Sequence, residues 1–153
     1  MPSTQSASDL TAHLGYWLRY VSNHVSQAFA RKVEAHGVTV AEWVLMRQLL
    51  EEEALAPSRL AERMGMTRGA ISKLADRLIT KGMLIRAANP EDGRAQTLAL
   101  TPAGRVVVPS LTALADANDA EFFDHVAPAD RAVLLRILRG IVEKRGLKSL
   151  PVD

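Results

Sequence analysis

The sequence contains no cysteine. Disulfides, thiolate catalysis, thiol redox sensing and cysteine-ligated zinc are excluded with it. Nor does any stretch approach the roughly 18 continuous apolar residues of a membrane span. The opening residues, MPSTQSASDL, lack the basic segment and apolar run of a secretory signal. They read as a frayed tail on a cytoplasmic protein. Catalytic signatures are missing too: there is no H-E-x-x-H, no G-x-S-x-G and no phosphate-binding glycine loop. The four histidines are His13, His24, His36 and His125. His13 and His24 share a helix face but stand roughly 16 Å apart along its axis, too far for one ion. Neither an enzyme nor a cofactor is indicated. A metal-responsive protein has only weak support, from His36 beside Glu34 and His125 beside Asp124.

What is present is an ordinary globular composition. Of 153 residues, 48% are hydrophobic and 24% charged, enough for one domain with a real core. The net charge of +2 is unevenly placed. Residues 59–94 hold eight basic side chains against four acidic ones, a local net of +4 that leaves −2 for the rest. Such a basic middle suits a localised anionic partner, although a solvated mixed-charge surface would look the same.

The hydrophobic periodicity orders the chain as helix, helix, helix, helix, hairpin, helix, helix. Residues 9–35 carry apolar side chains at three- and four-residue steps, from Leu10 through Trp17 and Val21 to Phe29. Gly37 stops this helix. Thr39 then opens the next with Glu42 three residues on, a capping box. Pro57 suits a first helical turn and Gly65 a break. TRGAISKLADRLITKG runs from a Thr67 cap to a Gly82 stop, with Ile71, Leu74, Ala75 and Leu78 facing inward. The period then changes to that of strands. MLIRAA and AQTLALT flank an Asn-Pro-Glu-Asp-Gly-Arg turn, and Leu98 and Leu100 share one face. Thr101-Pro102 opens a long helix to about His125, which Pro109 should kink. The last helix follows Pro128 and ends at Gly146; it lacks a Ser or Thr cap, having Ala127 there. The fold class is mainly α with a small β-hairpin (α+β).

Two short helices separated by MGM form a helix-turn-helix candidate, whose second helix would enter a major groove. Its outward residues in the N-terminal part, Arg68, Gly69, Ser72 and Lys73, are placed to meet base edges. Arg77 and Lys81 lie further along, where phosphate is the expected contact. A wet amphipathic helix with a basic face is the plainer alternative. The hairpin that follows would make the unit a winged module, and an arginine at a wing tip fits the electronegative minor groove.

DGRAQTLALTPAG matches the pattern D-x-R-x-x-x-L-x-L-T-x-x-G. In this the chain resembles the MarR family of bacterial transcription regulators, with Asp92, Arg94, Leu98, Leu100, Thr101 and Gly104 filling the pattern without a gap. ISKLADRLITKGMLIR resembles the same family's recognition helix and first wing strand, with Arg77, Leu78, Gly82 and Arg86 in place. The resemblance implies a winged helix-turn-helix lobe over residues 39–101 and a helical dimerisation region from residues 9–36 and 102–146. It implies a homodimer on double-stranded, pseudo-palindromic DNA, acting as a repressor ahead of an activator, and in many members an aromatic or anionic small-molecule effector. Arg94 would enter the minor groove and Asp92 would hold it by an ion pair, although an Asp there can also simply cap the turn.

For a shared interface the candidates are Leu10, Leu14, Val21, Val25, Leu134, Ile137, Leu138, Ile141 and Val142; an intrachain core is the other use for them. For an effector the candidates are His13, Tyr16, Trp17 and Tyr20 on the first helix, with Trp43 and Arg47 on the second. An aromatic wall plus Arg47 would suit an aromatic carboxylate, whereas aromatics at helical spacing also serve as core. The wing assignment has a direct test. Arg94→Ala should weaken duplex binding while mass and helicity stay the same, and unchanged binding would remove Arg94 from the interface.

Overall fold

The computed structural model describes residues 6–88 and 96–153. After a 3-10 turn at Leu10–Ala12 the helices are α1 (Leu14–Glu34), α2 (Val40–Leu49), α3 (Pro57–Met64) and α4 (Arg68–Thr80). The strands β1 (Leu84–Ala88) and β2 (Gln96–Leu100) precede α5 (Pro102–Phe123) and α6 (Pro128–Arg145). None of the described helices is long and apolar enough to cross a membrane.

The local signals explain most boundaries. Thr39 Oγ1 accepts from the Glu42 amide at 3.1 Å, and Glu42 Oε1 accepts from the Thr39 amide at 3.2 Å. This closes a capping box that uses two backbone donors the helix cannot satisfy itself. Thr67 caps α4 in the same manner, accepting from the Ala70 amide at 3.1 Å. Gly65 closes α3 in the left-handed conformation at φ 65°. One boundary departs from expectation. The first helix does not start at residue 9: His13 is extended and separates the 3-10 turn from α1. The Trp17 indole donates to the Thr11 carbonyl at 2.9 Å and holds that turn against α1. Pro109 lies inside α5 without ending it; it removes a single donor from a long hydrogen-bond ladder.

The core fills the space between α2, α3, α4, the hairpin and the first half of α5. Leu45, Met46, Leu49, Leu60, Met64, Ile71, Leu78, Leu98 and Leu111 are all fully buried. Each such side chain contributes about 1.5–3 kcal/mol of burial. The hairpin is antiparallel, with Leu84 opposite Leu100 and Arg86 opposite Leu98. Leu55, between α2 and α3, pairs with the outer side of β2: its amide donates to Leu98 O at 2.9 Å and its carbonyl accepts from Leu98 N at 2.7 Å. At the hairpin's base Thr101 Oγ1 donates to Gly82 O at 2.7 Å and accepts from Gly104 N at 3.1 Å. A Cβ on Gly104 would stand 2.3 Å from Met83 O, so only glycine lets α5 start this close to the hairpin.

Two polar ties organise the helices. Glu42 is completely buried, and both of its carboxylate oxygens accept from Lys81 Nζ, at 3.0 and 2.8 Å. The same ammonium donates to Gly37 O at 2.8 Å. The start of α2, the turn before it and the end of α4 are thus joined at one point. Between α1 and α5, buried Asn118 accepts from Lys32 Nζ at 2.8 Å and donates to Val25 O at 3.1 Å.

By contrast, α6 buries no residue within the protomer. Leu134, Ile137, Ile141 and Val142 are each more than two-fifths exposed, as are Leu14, Leu18 and Val21 on α1.

Lys81→Met would leave the Glu42 carboxylate buried without its counter-charge. It is expected to lower stability by about 3 kcal/mol, with Glu42→Gln/Lys81→Met recovering part of the loss. Urea unfolding at fixed protein concentration measures both, and a loss below about 0.5 kcal/mol would show that this pair is not a structural tie.

Candidate nucleic-acid interface

The α3–turn–α4 unit presents a single sided helix. Ile71, Leu74, Ala75 and Leu78 bury one face of α4 in the core. This leaves Arg68, Gly69, Ser72, Lys73, Asp76, Arg77 and Thr80 exposed on the other. Leu60, Ala61 and Met64 of α3 lie beneath it. The Thr67 cap fixes where the N-terminal turn of α4 begins, and so where Arg68, Gly69, Ser72 and Lys73 stand. Arg68, Lys73 and Arg77 form no ion pair with another described residue. A surface with cations on one helix and few internal partners for them is suited to phosphate and base-edge acceptors.

One basic residue is used differently from the sequence expectation. Lys81 is not presented to phosphate, because its ammonium is committed to Glu42 and Gly37. Arg86 on β1 is held by Asp76 of α4 at 2.8 Å. That pair bridges the helix and the hairpin and sets the direction in which the Arg86 guanidinium points. Asp92 and Arg94, with the whole Asn89–Ala95 turn, lie outside the described residues. The base of the hairpin that carries them is firmly seated, since Leu98 and Leu100 are buried and Leu55 braces β2.

The residues considered for an effector do not share one pocket. Tyr16, Trp17, Tyr20 and His24 stack along α1, with centroids 5.2 Å apart for Tyr16–Trp17 and again for Tyr20–His24. Trp17 and Tyr20 are about half exposed, at 50% and 51%. His13 caps α1 by backbone only, without a side-chain bond. Trp43 instead packs edge-on against Phe29 at 5.1 Å. It lines a cavity of about 250 Å³ together with Val25, Phe29, Val40, Ala115 and Asn118. The helical rise explains the separation: Tyr20 and Phe29 are nine residues apart on α1, roughly 14 Å along the axis. Arg47 is not part of that cavity and faces Glu51 at 3.5 Å one turn on. The cavity itself was not visible in the sequence, because Ala115 and Asn118 come from α5 and carry no local signal. The indole N–H of Trp43 is buried with no acceptor among the described residues.

Comparison with known proteins agrees with this geometry. Residues 36–95, which span α2 to the wing turn, match the family model described as MarR family. The HTH-type transcriptional repressor MdtR of Bacillus subtilis is 26% identical over 145 residues, covering 95% of this chain and 84% of MdtR. Among solved structures, CouR from Rhodococcus jostii bound to p-coumaroyl-CoA aligns with a TM-score of 0.78 at 21% identity, covering 95% of this chain and 99% of that one. BpsR of Bordetella bronchiseptica, described with regulation of its DNA binding by 6-hydroxynicotinic acid, aligns with a TM-score of 0.77 at 20% identity, covering 89% and 97%. The matched segment holds the exposed basic helix and the first strand of the hairpin, and over these residues the chain matches the MarR family of winged helix-turn-helix transcriptional regulators.

Proposed function

We propose that this regulator binds a pseudo-palindromic operator as a homodimer, represses transcription there, and is released by a small aromatic ligand. The observation that carries the reading is the exposed basic face of α4, set over a buried apolar face and directly beside the wing. Arg68, Gly69, Ser72 and Lys73 would meet base edges, and Arg77 and Arg86 phosphate. Arg94 would probe the minor groove with Asp92 beside it. Two such helices on a twofold axis would lie about 34 Å apart, one turn of duplex. The exposed apolar residues of α1 and α6 supply a surface for the second copy. Repression is favoured because relatives such as MdtR are named as repressors. The protein would work in the cytoplasm and without catalysis.

The ligand site favoured by the geometry is the cavity between α1, α2 and α5, where Trp43 and Phe29 offer aromatic faces. Structural neighbours are described with p-coumaroyl-CoA and with 6-hydroxynicotinic acid, both aromatic compounds. A negatively charged head group finds no lysine or arginine among the described lining residues. The aromatic body, rather than anionic charge, is what this cavity is built to take.

Selection of bound duplexes from a random pool, followed by binding with variants, tests the DNA reading. Arg68→Ala should relax discrimination at one base position by about 1–3 kcal/mol. Lys73→Ala should do the same at a second position; a uniform loss over all duplexes would make Lys73 a phosphate contact instead. Binding should fall steeply with salt as counterions are released, and a flat salt response would argue against the interface. The dimer is tested separately. Ile137→Asp places a charge in the α6 stripe and should halve the mass seen by light scattering. An unchanged dimer mass would show that α6 is not the seam.

A further inference from the structure

The segment after α6 makes contacts that α6 itself does not. Gly146 ends that helix in the left-handed conformation at φ 61°, and the chain then returns to the core. The Leu150 amide donates to Met64 O at 3.2 Å, at the end of α3. Ser149 lies so close to the α3–α4 turn that a Cβ on Gly65 would stand 2.6 Å from Ser149 Cα. Leu150 and Val152 are half-buried against the lobe's hydrophobic core. Between and beyond them, Pro151 and Asp153 line the Trp43 cavity. One short segment therefore touches both the cavity and the turn that precedes α4.

We infer that residues Leu147–Asp153 form a strap that supplies the outer wall of this cavity, contacts its ligand through Pro151 and Asp153, and couples occupancy to the α3–α4 turn. The inference rests on the regulator reading and adds the route of regulation and the charge of the ligand. A molecule that fills the cavity meets the strap on one side and α1, α2 and α5 on the other. Displacing the strap breaks the Leu150–Met64 bond and removes Ser149 from beside Gly65, and thereby frees the turn that positions Arg68 and Lys73.

The wall also selects by charge. Asp153 contributes a carboxylate from the strap and Asp119 a second from α5, and Asp119 is already paired with Arg131 at 2.8 Å. Lys32, the ammonium bound to Asn118, is also paired with Glu121 at 2.7 Å. Among the lining residues, Asp153 is thus the charge left to face a ligand. A neutral or cationic aromatic is favoured over an aromatic carboxylate.

The test uses the full chain carrying Trp17→Phe, which makes Trp43 the sole tryptophan. Acrylamide quenching of Trp43 reports how well the cavity is walled. Leu150→Ser should raise the quenching and weaken operator binding about fivefold, the scale of a modest coupling free energy, while helicity and dimer mass hold. Asp153→Asn should leave operator affinity unchanged. Three matched probes, benzyltrimethylammonium, benzyl alcohol and phenylacetate, are then titrated against Trp43 emission. Benzyltrimethylammonium should bind about threefold or more tighter than phenylacetate, and Asp153→Asn should erase most of that difference. Unchanged quenching in Leu150→Ser overturns the strap as a wall, and increased quenching with full operator affinity overturns the coupling. Phenylacetate binding best overturns the charge selection. If Leu150→Ser does not fold, deletion of residues 148–153 takes its place with the same readouts. Failure of the parent protein to bind any selected duplex would instead remove the regulator reading, whatever the strap does.

Discussion

The buried carboxylate of Glu42 constrains much of this lobe. A charge with no exposure to water is costly to bury unless donors meet it. Here the donors are the Thr39 amide and the Lys81 ammonium, and that ammonium also donates to the carbonyl of Gly37. Meeting that demand sets the start of α2 and the end of α4 at a fixed separation. The end of α4 in turn leads through Gly82 and Met83 into the hairpin. The exposed basic face of α4 is therefore held in place from its far end, by an interaction that never reaches solvent on the carboxylate side.

The hairpin is anchored by a second, independent device. Thr101 bonds back to Gly82 while capping α5, and Gly104 lets Met83 approach where any side chain would collide. Thr-Pro-Ala-Gly is thus a joint between wing and helix as well as a helix start. Arg105, one residue on, donates to the carbonyls of Leu50 and Glu52 at 3.1 Å each and ties α5 to the end of α2. Between them these contacts make one rigid body of the recognition helix, the wing base and the first turns of α5.

Local chemistry made much of this legible in advance. The caps at Thr39, Thr67 and Thr101, the glycine stops, and the inward face of α4 each depend on residues within one or two turns of each other. The helix order and the buried pair Leu98 and Leu100 were readable for the same reason. What was hidden depends on partners far apart in the chain. Glu42 looked like half of a capping box, and its tie to Lys81 spans 39 residues. Asn118 reaches Val25 across 93 residues. Leu45 is fully buried although α2 is apolar on several faces, so periodicity did not single it out. The aromatic candidates failed to converge because composition does not say how far along a helix a neighbour will pack.

The Leu55 bridge has a consequence for how the protein behaves in a crowded cell. A strand with unpaired backbone is a template for another chain, and hairpins are exposed to this on both sides. Leu55 blocks the middle of the outer side of β2, at Leu98, while β1 keeps its outer edge open among the described residues. That edge is five residues long and carries exposed Ile85 next to Arg86. Short length and a central charge are the features that discourage strand-on-strand growth. Arg86, held by Asp76, thus doubles as a guard against filament formation on the open edge of β1.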